Sequence, residues 1–161
     1  MLNLSLAGCG FLGVYHIGVI KAFRELNEPT YLFKISGSSA GALVGACTIC
    51  ECSIEEMLIV VAKVAYEIKS NKFGPFQPGF NINKMMKYSL EKYLIKFINN
   101  IFYNEMFMWE TFTNRILPAD AHKKCSGRLH VSLTSAKNGK NLIVNKFNSK
   151  EDLIQVSLFI Y

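Results

Sequence analysis

Apolar and polar residues follow one another in a regular order along the first third of the chain. The apolar run from Leu2 to Leu6 predicts a buried strand. From Tyr15 apolar side chains recur every three or four residues, which predicts a helix that Pro29 closes. Segment 31–36 predicts a second strand, and segment 42–50, rich in small apolar residues, predicts a tightly buried helix. Strand, loop and helix repeated in this order are typical of an α/β fold with parallel strands.

The middle of the chain predicts two further helices. Ser53 followed by Glu56 has the spacing of a capping box, which opens an amphipathic helix to about Lys69. Across 83–101 the apolar side chains share one helical face and lysines lie opposite. That face suits packing against the core, and a position on a membrane surface is the alternative.

The last third of the chain predicts a hairpin and a helix. Segment 129–135 alternates as a strand, and Asn138 with Gly139 forms a hairpin turn before a second strand in 141–147. Ser149 precedes two acidic residues and an apolar run, which predicts the start of a helix.

The first loop contains Gly8, Gly10 and Gly13, the glycine spacing of a dinucleotide-binding turn. Such a turn also requires an acidic residue at the end of the second strand, to bind the ribose hydroxyls. Here that position is occupied by segment 36–41, which has no acidic residue, and the next one is Glu51. The spacing alone therefore does not predict a nucleotide cofactor, and we expect none.

The second loop has the pattern of a nucleophile elbow, Gly-x-Ser-x-Gly between a strand and a helix. Gly37 and Gly41 flank the candidate nucleophile Ser39, with Ser38 and Ala40 as the intervening residues. The glycines avoid collisions between the sharp turn and its neighbouring strand and helix.

The two loops together predict an acyl-transfer site. Both follow parallel strands, so both lie at the same edge of the sheet. Backbone amides in the loop from Gly8 to Gly13 would donate to the oxyanion that forms when Ser39 attacks an ester.

The distribution of charge along the chain limits which kinds of partner are expected. The net charge is +6, and between Arg115 and Lys150 there are eight Lys or Arg and one acidic residue, Asp120. This stretch suits an anionic lipid surface or a solvated face, and it lacks the interleaved aromatic residues typical of nucleic-acid modules.

The five cysteines are Cys9, Cys47, Cys50, Cys52 and Cys125. Their odd number and the lack of a secretory leader predict reduced thiols in the cytoplasm. Their spacing does not complete a set of four metal ligands, which favours small buried side chains over a metal site.

Four ordered blocks resemble the patatin-like phospholipases, nearest the adipose triglyceride lipase and adiponutrin group. The blocks are LSLAGCGFLGVYHIGV, ISGSSAGALVGA, FGPFQPGFNI and ILPADAHKKCSGRLHVSLTSAKNGKNLIVNKFNSKEDLIQ. The resemblance implies one three-layer α/β/α domain over 1–161, with a mainly parallel sheet and an incomplete C-terminus. It implies hydrolysis of acylglycerol or phospholipid esters at a lipid droplet or membrane surface, with a protein coactivator as a further partner. It makes Ser39 the nucleophile and assigns the oxyanion hole to Gly8, Cys9, Gly10, Phe11, Leu12 and Gly13.

The resemblance also implies a Ser-Asp dyad without a catalytic histidine, so His16, His122 and His130 are expected to be structural. The dyad aspartate of the family precedes a glycine, and neither Asp120 nor Asp152 does. We therefore expect the base to lie beyond this chain, which makes the chain a fragment or a truncated lipase. An inactive lipid-binding protein is the alternative. Segment 88–112 matches no block of the family and is a possible insertion.

Overall fold

A computed structural model describes residues 2–26, 32–70, 115–135 and 138–158. Within these ranges four strands form one sheet in chain order: β1 (Leu2–Leu6), β2 (Leu32–Gly37), β3 (Leu129–Thr134) and β4 (Asn141–Val144). The pairs β1/β2 and β2/β3 are parallel, and β3/β4 is antiparallel. The predicted α/β class with a mainly parallel sheet is confirmed.

Five α-helices accompany these strands in the described ranges, four of them close to the predicted positions and one, over 121–125, that was not predicted. They are α1 (Gly13–Glu25), α2 (Ala40–Ile49), α3 (Ile54–Ser70), α4 (Ala121–Cys125) and α5 (Lys150–Leu158). Helix α1 begins two residues before the predicted Tyr15, because a 3-10 turn over Gly10–Leu12 leads directly into it. Helix α2 likewise begins at Ala40, so its first turn is part of the serine loop.

Helix α2 forms the centre of the core. Every residue in it except Thr48 is buried. A Cβ added at Gly45 would lie 2.9 Å from Ile35 Cγ2 and 3.0 Å from Leu129 Cδ1, so the helix lies directly across β2 and β3. Its small residues therefore permit a close helix-sheet contact that larger side chains would block.

Strand β1 is buried on one side only, which limits the prediction of a buried strand to one face of β1. Leu6 is 3% exposed, whereas Asn3 and Ser5 are exposed among the described residues. Successive side chains in a strand point to opposite faces of the sheet. The alternation of apolar and polar residues in LNLSL, more than the apolar content of the run, therefore determines which side chains of β1 are buried.

Local hydrogen bonds begin the two predicted capped helices. The amide of Glu56 donates to Ser53 Oγ at 3.3 Å, and the amide of Asp152 donates to Ser149 Oγ at 3.0 Å. The carboxylate that Ser53 contacts belongs to Glu55, whose Oε2 accepts from Ser53 Oγ at 2.7 Å. The capping box is therefore confirmed for its serine half, with Glu55 as the acidic partner.

The predicted hairpin is also confirmed, with Gly139 at φ +67° in its turn. The helix predicted over 83–101, the possible insertion at 88–112, the FGPFQPGFNI block and Pro29 lie outside the described residues. None of the helices in the described ranges combines the length and apolarity needed to cross a bilayer.

Candidate active site

The sheet register brings the two predicted loops to one edge. Leu6 at the end of β1 pairs with Gly37 at the end of β2. The glycine loop begins at Gly8, two residues after Leu6, and the serine loop continues directly from Gly37 into Ser38. The amide of Ser38 donates to Leu6 O at 3.3 Å and joins the two loop origins.

Two glycines permit the serine loop to turn as sharply as it does. A Cβ on Gly41 would lie 2.2 Å from Leu6 O and 2.6 Å from Ala7 O, both backbone atoms. A Cβ on Gly37 would lie 2.7 Å from the amide nitrogen of Ala42. These separations are shorter than any van der Waals contact, so both positions require glycine. The first turn of α2 accordingly lies directly against the end of β1.

Ser39 has the backbone conformation of a strained turn, with φ +50° and ψ −128°. A non-glycine residue with such angles costs on the order of 1–3 kcal/mol, and such residues cluster at functional sites. Ser39 occupies the N-cap position of α2, yet its hydroxyl makes no capping hydrogen bond. Helix α2 is held instead by backbone bonds, from Gly41 N to Ser38 O and from Ala42 N to Ser39 O. The Ser39 side chain is exposed, so its hydroxyl is available at the surface.

The glycine loop lies against this serine. A Cβ added at Gly8 would lie 3.4 Å from Ser39 Cβ and 3.0 Å from Ser38 Oγ. At the other end of the loop, a Cβ on Gly13 would lie 3.6 Å from Ala40 Cβ. The structure thus brings the two predicted glycine motifs into contact.

Backbone amides of the loop are oriented by a tight turn. Leu12 N donates to Cys9 O at 3.1 Å, which closes the 3-10 turn, and Gly10 adopts φ +53°. Within the described part of the chain, no backbone carbonyl accepts from the amides of Gly8, Cys9 or Gly10. Consecutive unpaired amides in such a turn form a concavity suited to an anion.

His16 stabilises the start of this loop, a role that the sequence did not reveal. Its Nε2 lies 3.0 Å from Ala7 O, so the ring donates a hydrogen bond to the residue that follows β1. The residue lies on α1, which the loop precedes. The only hint of this role in the sequence is the position of His16, three residues after Gly13 and in the first turns of α1.

Cys9 is the other potential nucleophile at this edge. Burial raises the pKa of its thiol above the ordinary value. The protonated thiol is a poor nucleophile near neutral pH. Of these two side chains, the exposed Ser39 hydroxyl is the better placed for chemistry.

Both aspartates bind local partners. Asp120 forms an ion pair with Lys124 at 3.5 Å, and Asp152 accepts from the amide of Asn148 at 2.8 Å. Among the described residues no side chain is hydrogen-bonded to the Ser39 hydroxyl. The site as described therefore contains a candidate nucleophile and candidate oxyanion donors, and neither described aspartate lies beside them.

The two remaining histidines, His122 and His130, are half-buried. His130 lies on β3, with its Nε2 3.3 Å from Asn145 Nδ2, and the Nδ1 atom of His122 is buried without a partner in the described residues. In the same part of the chain no group of three or more His, Cys, Asp or Glu is arranged to hold a metal ion.

The fold and the site define an α/β protein in which a strained serine turn and a glycine loop share one edge of a parallel sheet. Comparison with known proteins agrees with this class, because the model of the patatin-like phospholipase family matches residues 4–158. The chain belongs to the patatin-like phospholipase family.

Similarity to individual proteins extends over nearly the whole chain. It is 34% identical to human patatin-like phospholipase domain-containing protein 2, over 97% of this chain and 27% of that protein. It is 35% identical to human patatin-like phospholipase domain-containing protein 4, over 98% of this chain and 54% of that protein. It is 33% identical to human omega-hydroxyceramide transacylase, over 95% of this chain and 25% of that protein. The chain therefore spans between a quarter and about half of the length of these relatives.

Proposed function

We propose that this chain carries the nucleophile and the oxyanion hole of a serine acyl hydrolase that acts on acylglycerols or phospholipids. Ser39 Oγ attacks the ester carbonyl, its proton passes to a carboxylate base, and the alcohol of the substrate leaves. The amides of Gly8, Cys9 and Gly10 donate to the oxyanion. The observation that carries this proposal is the contact between the loops, because Gly8 lies against an exposed, strained Ser39.

The position of Ser39 favours negative charge. It precedes the first residue of α2, where the helix dipole has its positive end. An anionic tetrahedral intermediate formed on Ser39 would lie between this helix end and the loop amides. Stabilisation from several fixed dipoles is usually the largest single contribution to acyl-transfer catalysis.

A lipid substrate is supported by the surroundings of the loop. Leu12 and Tyr15 are 70% and 72% exposed, and Val14 between them is 45% exposed. These apolar side chains flank the candidate oxyanion hole and suit contact with acyl chains. The name of the family points to phospholipid chemistry, and one relative is named an omega-hydroxyceramide transacylase.

The base of this mechanism is neither Asp120 nor Asp152, since both serve local contacts. We place it outside these 161 residues, on a carboxylate that the resemblance to Ser-Asp dyad enzymes implies. Functional tests therefore use the intact protein that carries the chain. A serine without its base reacts slowly, because the hydroxyl is a weak nucleophile at its ordinary pKa.

Covalent labelling tests the assignment of the nucleophile. We expect a fluorophosphonate probe to form one adduct with the intact native protein, on the tryptic peptide 35–63, and fragment ions to locate it on Ser39. Heat-denatured protein is the control and should remain unlabelled, since the reaction requires the folded site. An adduct on another residue of the native protein would contradict the proposal.

Substitution of Gly8 tests the oxyanion hole. The added methyl group of Gly8→Ala would lie within 3.4 Å of Ser38 and Ser39 and narrow the space for the oxyanion. We expect the rate of ester hydrolysis to fall about 10²-fold, as when one oxyanion donor is lost. Gly18→Ala is the matched control, because its methyl group would meet nothing within 4 Å. Equal activity of both variants would exclude Gly8 from the site.

A second candidate function is a lipid-surface module without turnover. It is favoured by the exposed Leu12 and Tyr15 and by the excess of Lys and Arg between Arg115 and Lys150. It predicts flotation of the intact protein with anionic vesicles, in the absence of both probe labelling and ester hydrolysis. Labelling at Ser39 would eliminate it.

A further inference from the structure

Four of the five cysteines gather at the end of α2 that lies opposite Ser39. Cys47, Cys50 and Cys52 lie in or after the last turn of α2, and Cys125 ends α4. Cys50 Sγ lies 3.9 Å from Cys125 Sγ, although 75 positions separate the two residues. The acyl-transfer mechanism uses neither thiol.

We propose that Cys50 and Cys125 are a redox-active pair that forms a reversible disulfide when the protein meets a peroxide. The two sulfurs are already close to van der Waals contact, whereas an S–S bond requires about 2.05 Å. Cys50 is half-buried at the C-cap of α2, which makes it the more accessible member of the pair, and the proposed bond requires the two sulfurs to move together from 3.9 Å. Cys125 is completely buried and supplies the resolving thiol.

The two thiols have complementary ionisation. The hydrogen bond between Cys50 and Cys125 lowers the pKa of Cys50, and the Lys124 ammonium lowers it further, against the opposing effects of burial, Cys52 and Asp120. The same hydrogen bond, together with burial, raises the pKa of Cys125 well above its ordinary value. Cys50 is therefore the thiolate that reacts first, and Cys125 keeps its proton until the second step.

The reaction balances with hydrogen peroxide as the oxidant. The Cys50 thiolate attacks one peroxide oxygen, the O–O bond breaks, and the leaving hydroxide takes a proton to become water. Cys125 sulfur then attacks Cys50 sulfur, the S–S bond forms, and the S–O bond breaks. The departing hydroxide accepts the proton of Cys125. Two thiols are thus oxidised by two electrons and one peroxide is reduced to two waters.

Other sulfur pairs in the cluster are less suited to this reaction. The hydrogen bond with Cys47 also lowers the pKa of Cys52, but Cys52 is only 7% exposed and its thiol donates to Ile116 O at 3.5 Å. Cys47 is 4% exposed and its pKa is raised well above the ordinary value, first by its hydrogen bond with Cys52. Cys50 is the half-exposed member of the cluster and faces Cys125 directly.

The disulfide would join the end of α2 to the segment that leads into β3. Helix α2 begins directly after Ser39, so the bond would hold the far end of the helix on which the serine loop rests. Because it closes a long stretch of chain, the bond restricts the unfolded state strongly. We expect oxidised protein to melt about 5 °C or more above reduced protein.

The test maps the thiols of the intact protein after treatment with hydrogen peroxide, quenching and alkylation. Trypsin releases Cys125 in the peptide 125–128, and cleavage after Glu51 separates Cys50 from Cys52. We expect more than half of peptide 125–128 to be disulfide-linked to the fragment that ends at Glu51, and dithiothreitol to release it.

Single substitutions identify the partner thiol. Cys50→Ala should abolish the cross-link and the melting shift on oxidation, whereas Cys47→Ala and Cys52→Ala should retain both. Cys125 recovered as the free alkylated thiol from oxidised wild-type protein would overturn the proposal. So would a cross-link that persists in Cys50→Ala. On wild-type protein, fragment ions that locate the alkyl group on Cys47 of the cross-linked fragment 35–51 assign the bond to Cys50, even where a variant folds poorly.

Discussion

Replacement of Ser39 by alanine is expected to reduce hydrolysis of acylglycerol or phospholipid esters by about 10⁴-fold or more, with no change in fold. The estimate follows from serine hydrolases, in which the nucleophile alone accounts for most of the rate that the catalytic residues supply. Ser39 makes no capping hydrogen bond, so its hydroxyl contributes little to the stability of α2. The free energy of unfolding should therefore remain within about 0.5 kcal/mol of wild type.

Ser53→Ala is the matched control for this substitution. Ser53 also precedes a helix, but its Oγ accepts from the Glu56 amide at 3.3 Å. Loss of such a cap costs about 1 kcal/mol, and the site is left untouched. We expect reduced stability with activity within about threefold of wild type. Measured initial rates and urea unfolding curves separate the two effects, and a Ser39→Ala protein that hydrolyses esters at the wild-type rate would refute the assignment.

Replacement of Gly41 by alanine is expected to lower the free energy of unfolding by about 3 kcal/mol or more. The new methyl group would lie 2.2 Å from Leu6 O, and a backbone carbonyl has no rotamer through which to move away. Helix α2 would have to shift off the end of β1. Since Ser39 lies at the start of α2, the shift would also separate the serine from the glycine loop.

Gly18→Ala is the control for Gly41→Ala, and we expect it to raise the free energy of unfolding. Gly18 lies in α1, is exposed, and has no atom within 4 Å of an added Cβ. At an exposed helix position alanine is more favourable than glycine by about 1 kcal/mol, so the Gly18→Ala variant should be more stable than wild type. Urea unfolding followed by circular dichroism gives both values. A Gly41→Ala protein as stable as wild type would show that α2 does not contact β1 so closely.

The pattern of residues predicted the strands and loops that form the candidate site, because each of them depends on neighbours in the chain. Apolar periodicity indicated β1 and β2, and the glycine spacing indicated the loops that follow them. The helix caps predicted at Ser53 and Ser149 are confirmed for the same reason, since a cap spans three or four residues. The burial of β1 was overestimated, because the exposed Asn3 and Ser5 depend on what covers each face of the sheet.

Contacts between residues far apart in the sequence were not predicted and are seen only in the folded structure. The hydrogen bond from His16 to Ala7 O depends on the angle at which α1 leaves its loop. The juxtaposition of Cys50 with Cys125 depends on how α4 packs against the end of α2, across 75 positions of sequence. Spacing among Cys47, Cys50 and Cys52 gave no indication of a fourth sulfur.

Sequence alone indicated the residue types of the proposed acyl-transfer site, Ser39 among its glycines and the glycine loop before α1, since local turn geometry selects those residues. Only the folded structure determined how these two loops are arranged. The sheet register pairs Leu6 with Gly37, and close packing of α2 on β1 holds Ser39 at φ +50° against Gly8. Such strain persists only where the surrounding contacts enforce it, and those contacts arise from parallel strands and a buried helix acting together.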